Sequence, residues 1–494
     1  MNLLLQILIS ALAAFVAVNW AYFRVLKIAK LKQIVDNPNA RKLQKKPIPI
    51  LGGVAVFFGV VVGVLTGASL FWMIEGSPLY RLAPVTCAMI LMIYAGAMDD
   101  VLGLTAKNRF IIEILTVLGL IFAGAGCIDS LHGLWGIESF SWWIAVPLTV
   151  FAGVGIINAV NMIDGVNGLS SGLCILCSVL FGVAFLKVDD QPNAILAFTM
   201  AAALLPFLFH NVFGNKSRMF IGDAGTMMMG VLMTWFTICV LRSDSSLKLL
   251  AAQKNVNMVA MSLAILSVPI FDTVRVMVQR MVKGKSPFSP DKTHLHHVFI
   301  RMGVSHSITA LIEITLDAAI VLIWAASVKL KANLDWQLYF VLISAMVLVW
   351  GMYFFIRRQE DRHTSFMHHL ARISIKSHLG HSNWWLRLQK WLDAPEKKYN
   401  VGEDDVETPA NTLYDFYHFD EIDPDNVVEL DRKKVFDFLK GKAEVFVDDI
   451  KQRSGADPER VDVLVREGIE DGFISVIKKG ARSTPSIVAL KEEM

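Results

Sequence analysis

The sequence predicts an all-α polytopic membrane protein of about eleven transmembrane helices, followed by a small C-terminal cytosolic α+β domain. Three observations carry that reading. Of 494 residues, 54% are hydrophobic and only 18% charged, a balance too apolar for a soluble domain of this size. Eleven stretches are long and apolar enough to cross a bilayer, which takes about twenty helical residues with every backbone polar group satisfied internally. After Phe355 the composition turns abruptly polar and charged.

The spans are expected near 3–23, 50–72, 82–98, 109–127, 142–160, 168–187, 192–212, 222–241, 257–278, 309–328 and 336–356. The first lacks an A-x-A cleavage pattern and is followed by basic residues, which favours a retained span over a removed leader. Arg24, Lys27, Lys30, Lys32, Arg41, Lys42, Lys45 and Lys46 crowd the first loop, and Arg280, Lys283, Lys285, Lys292 and Arg301 the loop after the ninth span. By helix count both loops lie on one side, which the positive-inside rule makes cytoplasmic. The N-terminus is then outside and the C-terminal tail inside. A net charge of +3 gives no general field for nucleic acid. The five cysteines fall in or beside apolar segments without a disulfide pattern; Cys174 and Cys177 have redox or zinc spacing but no partner motif, and read as small buried hydrophobes.

The organisation is therefore a transmembrane domain over 1–356, a basic amphipathic segment and linker over 357–428, and a small domain over 429–494. Within the middle segment, residues 383–392 mix tryptophan and leucine with Arg387 and Lys390, which suits either a helix in the headgroup layer or an ordinary packing helix. The last domain reads as helices over 432–440, 444–453 and 459–471, then strands near 473–478 and 485–490, a pattern that resembles a winged-helix domain. Its third helix mixes Arg460 and Arg466 with Glu459, Asp462, Glu467, Glu470 and Asp471. That mixture argues against DNA and for a protein-binding or regulatory role.

The unusual polar clusters all fall on loops assigned to the cytoplasm. Asp99 and Asp100 end the third span, with Lys107 and Arg109 after them. Adjacent carboxylates at a span end serve as a general base or hold a divalent metal, and the cations suit phosphate oxygens; an exposed cap of the next helix is the bland alternative. Asn158, Asn161 and Asp164 recur at a spacing of three, which puts them on one helical face, and Gly165, Asn167 and Gly168 follow. Asp223 stands alone among Gly222 and Gly225 before a long apolar run, where a carboxylate wants a cation such as Mg²⁺. His294, His296 and His297 lack a fourth ligand for zinc and fit pyrophosphate better. Asp272 is expected to orient them or to pair with Arg275.

These segments resemble the polyprenyl-phosphate N-acetylhexosamine-1-phosphate transferases, glycosyltransferases of the family 4 type, and among them the bacterial undecaprenyl-phosphate N-acetylglucosamine-1-phosphate branch. The resemblance covers 1–356 and rests on five ordered motifs: Pro49 to Gly53, Asp99-Asp100, Asn158 to Gly165, Phe220 to Gly225, and Ser289 to His297. It implies an enzyme of the bacterial inner membrane that joins undecaprenyl phosphate to the sugar 1-phosphate of a UDP-sugar, releases UMP and initiates a cell-envelope glycan. Mg²⁺ would be the cofactor, with Mn²⁺ as the alternative. The resemblance further implies Asp223 and Asn161 as metal ligands, Asp99 or Asp100 as the group that deprotonates or positions the lipid phosphate, and Asp164 in the same catalytic cluster. Asn158, Asn167 and Phe220 would meet the substrate, the last two at nucleoside-contacting positions. His294, His296 and His297 would meet its phosphates, as would Lys45, Lys46, Lys107 and Arg109. The chain departs from the pattern at Asn167, where many bacterial members carry aspartate, and at Gly103. A protein partner for the last domain and a homodimer are open expectations. Two alternatives are phospho-MurNAc-pentapeptide transfer, against which the interrupted histidine run speaks, and a transporter, against which the placement of acidic groups at helix ends on one side speaks.

Overall fold

The computed structural model describes residues 3–36, 47–75, 81–287, 293–302, 304–361, 383–395, 427–440, 444–470, 473–479 and 485–490. Among them, ten helices are long and apolar enough to span a membrane, and a bent pair makes up to eleven. In chain order they are α1 (Leu3–Leu31), α2 (Gly52–Glu75), α3 (Ala83–Leu102), α4 (Ala106–Leu120, continued by a π turn to Ala125), α5 (Trp142–Met162), α6 (Leu169–Lys187), α7 (Gln191–Phe213) and α8 (Gly222–Leu241). After a short α9 (Leu247–Lys254) come α10 (Met258–Ile265) and α11 (Ser267–Val282), the short α12 (Leu295–Arg301), α13 (His306–Lys329), α14 (Leu334–Ala345) and α15 (Met352–Asp361).

The ninth expected span, 257–278, is not one straight helix: α10 and α11 meet at Leu266 with a bend of 79°. The physical cause lies in Pro269, whose ring nitrogen cannot donate to Ile265 and so breaks the ladder there. The new N-terminus is capped from across the bundle by Asp317 of α13, whose Oδ1 accepts from Ser267 Oγ at 2.7 Å and Val268 N at 3.0 Å.

At the centre stands α8, buried on every side from Ala224 to Leu241 and packed by α2, α3, α5, α6 and α10. Lipid provides no hydrophobic drive between helices, so small residues set how closely they approach. A Cβ on Gly53 would lie 2.3 Å from Gly225 Cα, and one on Gly96 2.4 Å from Ala224 Cα. These contacts press the start of α2 and the end of α3 against the start of α8. A two-stranded antiparallel pair, β1 (Val35–Asp36) with β2 (Ile48–Pro49), leads into α2, and its exit is stitched to the segment before α8. Phe220 N donates to Pro49 O (2.7 Å), Gly52 N to Phe220 O (2.9 Å) and Gly53 N to Ile221 O (2.7 Å).

Beyond the bundle, α16 (Asn383–Asp393) packs on α7, with the Trp385 ring 4.5 Å from that of Phe213, while Trp391 is 70% exposed. The C-terminal unit runs α17 (Val427–Leu439), β3 (Val445–Phe446), α18 (Val447–Arg453), α19 (Pro458–Glu470), β4 (Ile474–Lys479) and β5 (Pro485–Leu490). Its antiparallel sheet has the order β3-β5-β4, the connectivity of a winged helix, over a core that includes Phe436, Leu439, Ile450, Val461 and Val488. The expected second helix starts three residues late because Val445 and Phe446 pair with β5 instead. Arg460 is buried against Asp431 at 2.8 Å, tying α19 to α17. The 395–428 linker lies almost wholly outside the described residues.

Candidate active site

The ends of α3, α5 and α7 and the start of α8 meet at one end of the bundle. Asp99 and Asp100 close α3, and because successive helical residues point about 100° apart, they face different partners. Asp100 turns onto the N-terminus of α8, where it accepts from Asp223 N (2.9 Å) and Ala224 N (3.2 Å). Free N–H groups and the dipole at a helix start favour such a carboxylate. The approach requires Gly222, whose φ is +73° and whose Cβ would stand 2.3 Å from Ile50 O and 2.5 Å from Asp100 Oδ2. Asp99 instead accepts from Leu104 N (2.7 Å) and faces Arg109, whose Nη1 lies 3.4 Å from Asp99 Oδ2 and 3.8 Å from Asp223 Oδ1.

Arg109 is the hub of this half. Its Nε donates to Glu113 Oε1 at 3.2 Å, one turn along α4, and Glu113 is fully buried. Asn158 Nδ2 donates to the other oxygen of Glu113 and to Val154 O, so the amide nitrogen of Asn158 is given to Glu113 and to its own helix. Asn161 Nδ2 donates to Asp223 Oδ1 (2.5 Å) and Thr226 Oγ1 (2.6 Å). Its nitrogen is thereby engaged, and its carbonyl oxygen is the atom left to bind a cation. Asp164 follows α5 and accepts from Ser170 Oγ at 2.5 Å. It is exposed, and the surrounding chain removes part of its hydration. That desolvation, with the Asp223 charge adding and the Ser170 hydrogen bond opposing, pushes its pKa up to about 7.

The histidine half is built differently. Asp272 of α11, 1% exposed at its side chain, accepts from Arg275 Nη2 (2.6 Å) and Nε (3.1 Å), from His294 Nδ1 (2.8 Å) and from Leu295 N at the start of α12. Arg275 also donates to Thr293 O (2.6 Å) and Gln279 Oε1 (2.9 Å) and its guanidinium carbon lies over Tyr353, 3.6 Å from the ring centre. Asp272 thus does both things expected of it. His294 stacks on His296 and His296 touches His297, with ring centres 5.6 and 4.5 Å apart. Burial, then the neighbouring His297 and His294, hold the His296 imidazole well below its ordinary pKa, so it acts as a neutral ring. The two halves touch where a Cβ on Gly165 would meet His296 Nε2 at 2.4 Å.

Asn167 N donates to His306 Nδ1 (3.3 Å), and Phe220 is half-buried beside the stitched segment. Lys107 is exposed in the first turn of α4. Lys45, Lys46 and Ser289 to Lys292 lie outside the described residues. Four contributors escape a motif reading: Glu113, Thr226, Arg275 as a clamp, and Asn211, which accepts from Gly168 N (2.7 Å) and donates to Met219 O (3.0 Å), joining two site loops. Glu113 alone left a signal, a lone carboxylate in an apolar span four residues after an arginine.

Among the described residues no three His, Cys, Asp or Glu side chains converge as a closed metal cage. The donors that this end offers are an all-oxygen set: the Asp223 carboxylate, 36% exposed at its side chain and met at Oδ1 by Asn161 Nδ2 and Arg109 Nη1, and the Asn161 carbonyl. That set fits Mg²⁺, which takes one or two carboxylates and leaves its other positions to water and phosphate.

The glycosyl transferase family 4 model matches residues 82–241, the stretch holding the whole carboxylate half. The undecaprenyl-phosphate alpha-N-acetylglucosaminyl 1-phosphate transferase of Escherichia coli strain K12 is 30% identical over 386 residues, covering 73% of this chain and 96% of the relative. That of Salmonella typhimurium strain LT2 is 31% identical over 332 residues, 64% of this chain and 82% of the relative. The probable undecaprenyl-phosphate N-acetylglucosaminyl 1-phosphate transferase of Bacillus subtilis strain 168 is 30% identical over 294 residues, 58% and 75% of the two chains.

Proposed function

This chain belongs to glycosyl transferase family 4, in the undecaprenyl-phosphate N-acetylglucosaminyl 1-phosphate transferase branch, and on that premise we propose that it moves N-acetylglucosamine 1-phosphate from UDP-N-acetylglucosamine to undecaprenyl phosphate. A phosphate oxygen of the lipid attacks the sugar-bearing phosphorus of the nucleotide sugar. The bond to the bridging oxygen breaks, and UMP leaves with that oxygen. The observation that carries the reading is the meeting of Asp99, Asp223, Asn161 and Arg109 at one end of the bundle.

The residues divide the work by what they touch. Asp100 is committed to the α8 N-terminus and fixes the position of Asp223. Asp99, which accepts from Leu104 N and pairs loosely with Arg109, is the member of the pair not committed to α8, and we assign it the lipid phosphate, whose proton it accepts or whose oxygen it orients. Asp223 and the Asn161 carbonyl would hold Mg²⁺, which supplies Lewis-acid charge to the diphosphate. Arg109, already beside both carboxylates, offers its donors to negative charge that develops on the phosphates. Phe220 and Asn167 border the place for the uridine, and His294, held by Asp272, faces the diphosphate. In this reading the site and the tail are cytoplasmic, in a bacterial inner membrane, where nucleotide sugars are found.

The test is UMP release by the purified full chain in detergent with undecaprenyl phosphate, Mg²⁺ and UDP-N-acetylglucosamine, beside UDP-MurNAc-pentapeptide. Turnover with the first donor is expected. Turnover with the second alone would move the chain to the peptidoglycan branch, and none with either would end the transferase reading.

A further inference from the structure

The segment 214–221 joins α7 to α8, carries Phe220 and delivers Asp223 to the site. It is gripped from outside the bundle. Asp393, the last residue of α16, accepts through Oδ1 from Ser217 Oγ (2.6 Å), Ser217 N (3.0 Å) and Asn215 N (3.2 Å), and through Oδ2 from Lys216 N (3.3 Å). Three successive peptide N–H groups and a hydroxyl converging on one carboxylate form an anion nest. From the bundle side, Tyr22 of α1 donates its hydroxyl to Ser217 O (2.8 Å), and His210 Nδ1 lies 3.2 Å from Ser217 Oγ. Ser217 is thus pinned between the first helix and the tail. The grip has an anchor too, since Trp385 is buried against Phe213.

We propose that Asp393 is a positioning residue for the sugar-phosphate transfer: it holds the 214–221 segment so that Phe220 and Asp223 meet the nucleotide sugar, which makes α16 part of the active enzyme rather than a spacer to the last domain. The segment has two routes to the site. Asn211 reads Met219 O, and Phe220 and Ile221 accept from Gly52 and Gly53. Three residues or fewer separate Ser217 from these atoms, so slack at Ser217 is passed on.

The proposal rests on the transferase reading, so wild-type turnover is established first; its absence would sink that reading and leave Asp393 out of account. With an active wild type, kcat and KM for UDP-N-acetylglucosamine are measured for the full-length Asp393→Ala and Asp393→Asn proteins, beside amide hydrogen exchange of 214–223 and, as internal control, of 169–187. Loss of a charged, multiply bonded acceptor is expected to raise KM about tenfold or more, with a smaller fall in kcat. Exchange in 214–223 should quicken by a similar factor, with 169–187 unchanged and the amide variant in between. Unaltered kinetics would overturn the proposal, whether or not exchange quickens, because the contact would then be structural alone. Altered kinetics without faster exchange at 214–223 would overturn it as well. If the alanine protein does not accumulate, Ser217→Ala removes one of the bonds and should move KM and exchange together by about two- to threefold.

Discussion

The two halves of the site use charge in opposite ways. Around Arg109 the charges are partly open: its side chain is 18% exposed and that of Asp223 36%, at distances of 3.4 and 3.8 Å from carboxylates that could be closer. Around Asp272 both members of the pair are 1% exposed, and the bonds from Arg275 Nη2 and His294 Nδ1 are 2.6 and 2.8 Å. An open, loosely paired cluster can exchange its partners for a ligand at little cost, whereas a closed pair is held by its own desolvation and breaks badly. Motifs of equal prominence in the sequence thus differ in how far their charges are committed: one is loosely paired, and in the other Asp272 and Arg275 hold the shape in which His294 is presented.

The largest effect that would break this contrast is at Asp272. Asp272→Asn leaves Arg275 buried without a counter-charge, and removing one partner of a buried pair destabilises by about 3–5 kcal/mol. Thermal unfolding of the purified protein in detergent should show it as a marked fall in midpoint, with α12 loosened. Asp223→Asn should do the reverse. Its midpoint stays close to the wild type, while UMP release falls by a factor on the order of 10²–10³, the usual loss when a group aimed at transition-state charge is removed. An Asp272→Asn protein of native stability but no turnover would show that Asp272 serves the reaction rather than the shape of the histidine half, and end the distinction.

Much of the architecture was legible because a bilayer forces one solution: about twenty apolar residues in a helix. Hydropathy does not see a break, however. Pro269 and the partner that caps the new helix, Asp317, lie 48 residues apart, so the bend at Leu266 could not be read from either. Within the site, residue types were legible and their roles were not. Asp99 and Asp100 are neighbours in every pattern, and only the approach of α8 separates a helix cap from a group facing Arg109. Asn158 shares a helical face with Asn161, but its amide is taken by Glu113, 45 residues earlier. The tryptophan-rich helix at 383–392 was recognisable by composition, while the carboxylate that follows it acquires a purpose only when 215–217 folds around it.

A finer test of the open half is Glu113→Gln. The amide keeps one acceptor for Arg109 or Asn158 and drops the charge that anchors Arg109 Nε and so aims its Nη1 at the site. Turnover should fall roughly tenfold, the worth of a charged hydrogen bond, with insertion and folding retained. Because Glu113 and Asn158 act through one contact, adding Asn158→Ala should cost less than its effect alone. Full additivity would show that Asn158 serves the ligand directly.

The smallest effect is at Asp164, beside the seam where Gly165 meets His296. Its carboxyl titrates near 7 in the folded, metal-free protein against 3.8 for the ordinary group, so the folded state binds the proton more tightly than the unfolded chain. The stability that this proton contributes is fully present below about 4 and drains as pH rises through about 7. In the presence of a chelator, the unfolding midpoint of the wild type should therefore slip across that window relative to Asp164→Asn, whose side chain does not titrate. Mg²⁺ should shrink the difference by favouring the ionised carboxylate. If the two proteins kept parallel midpoints with and without metal, Asp164 would be a solvated loop residue, and the open half of the site would end at Asn161.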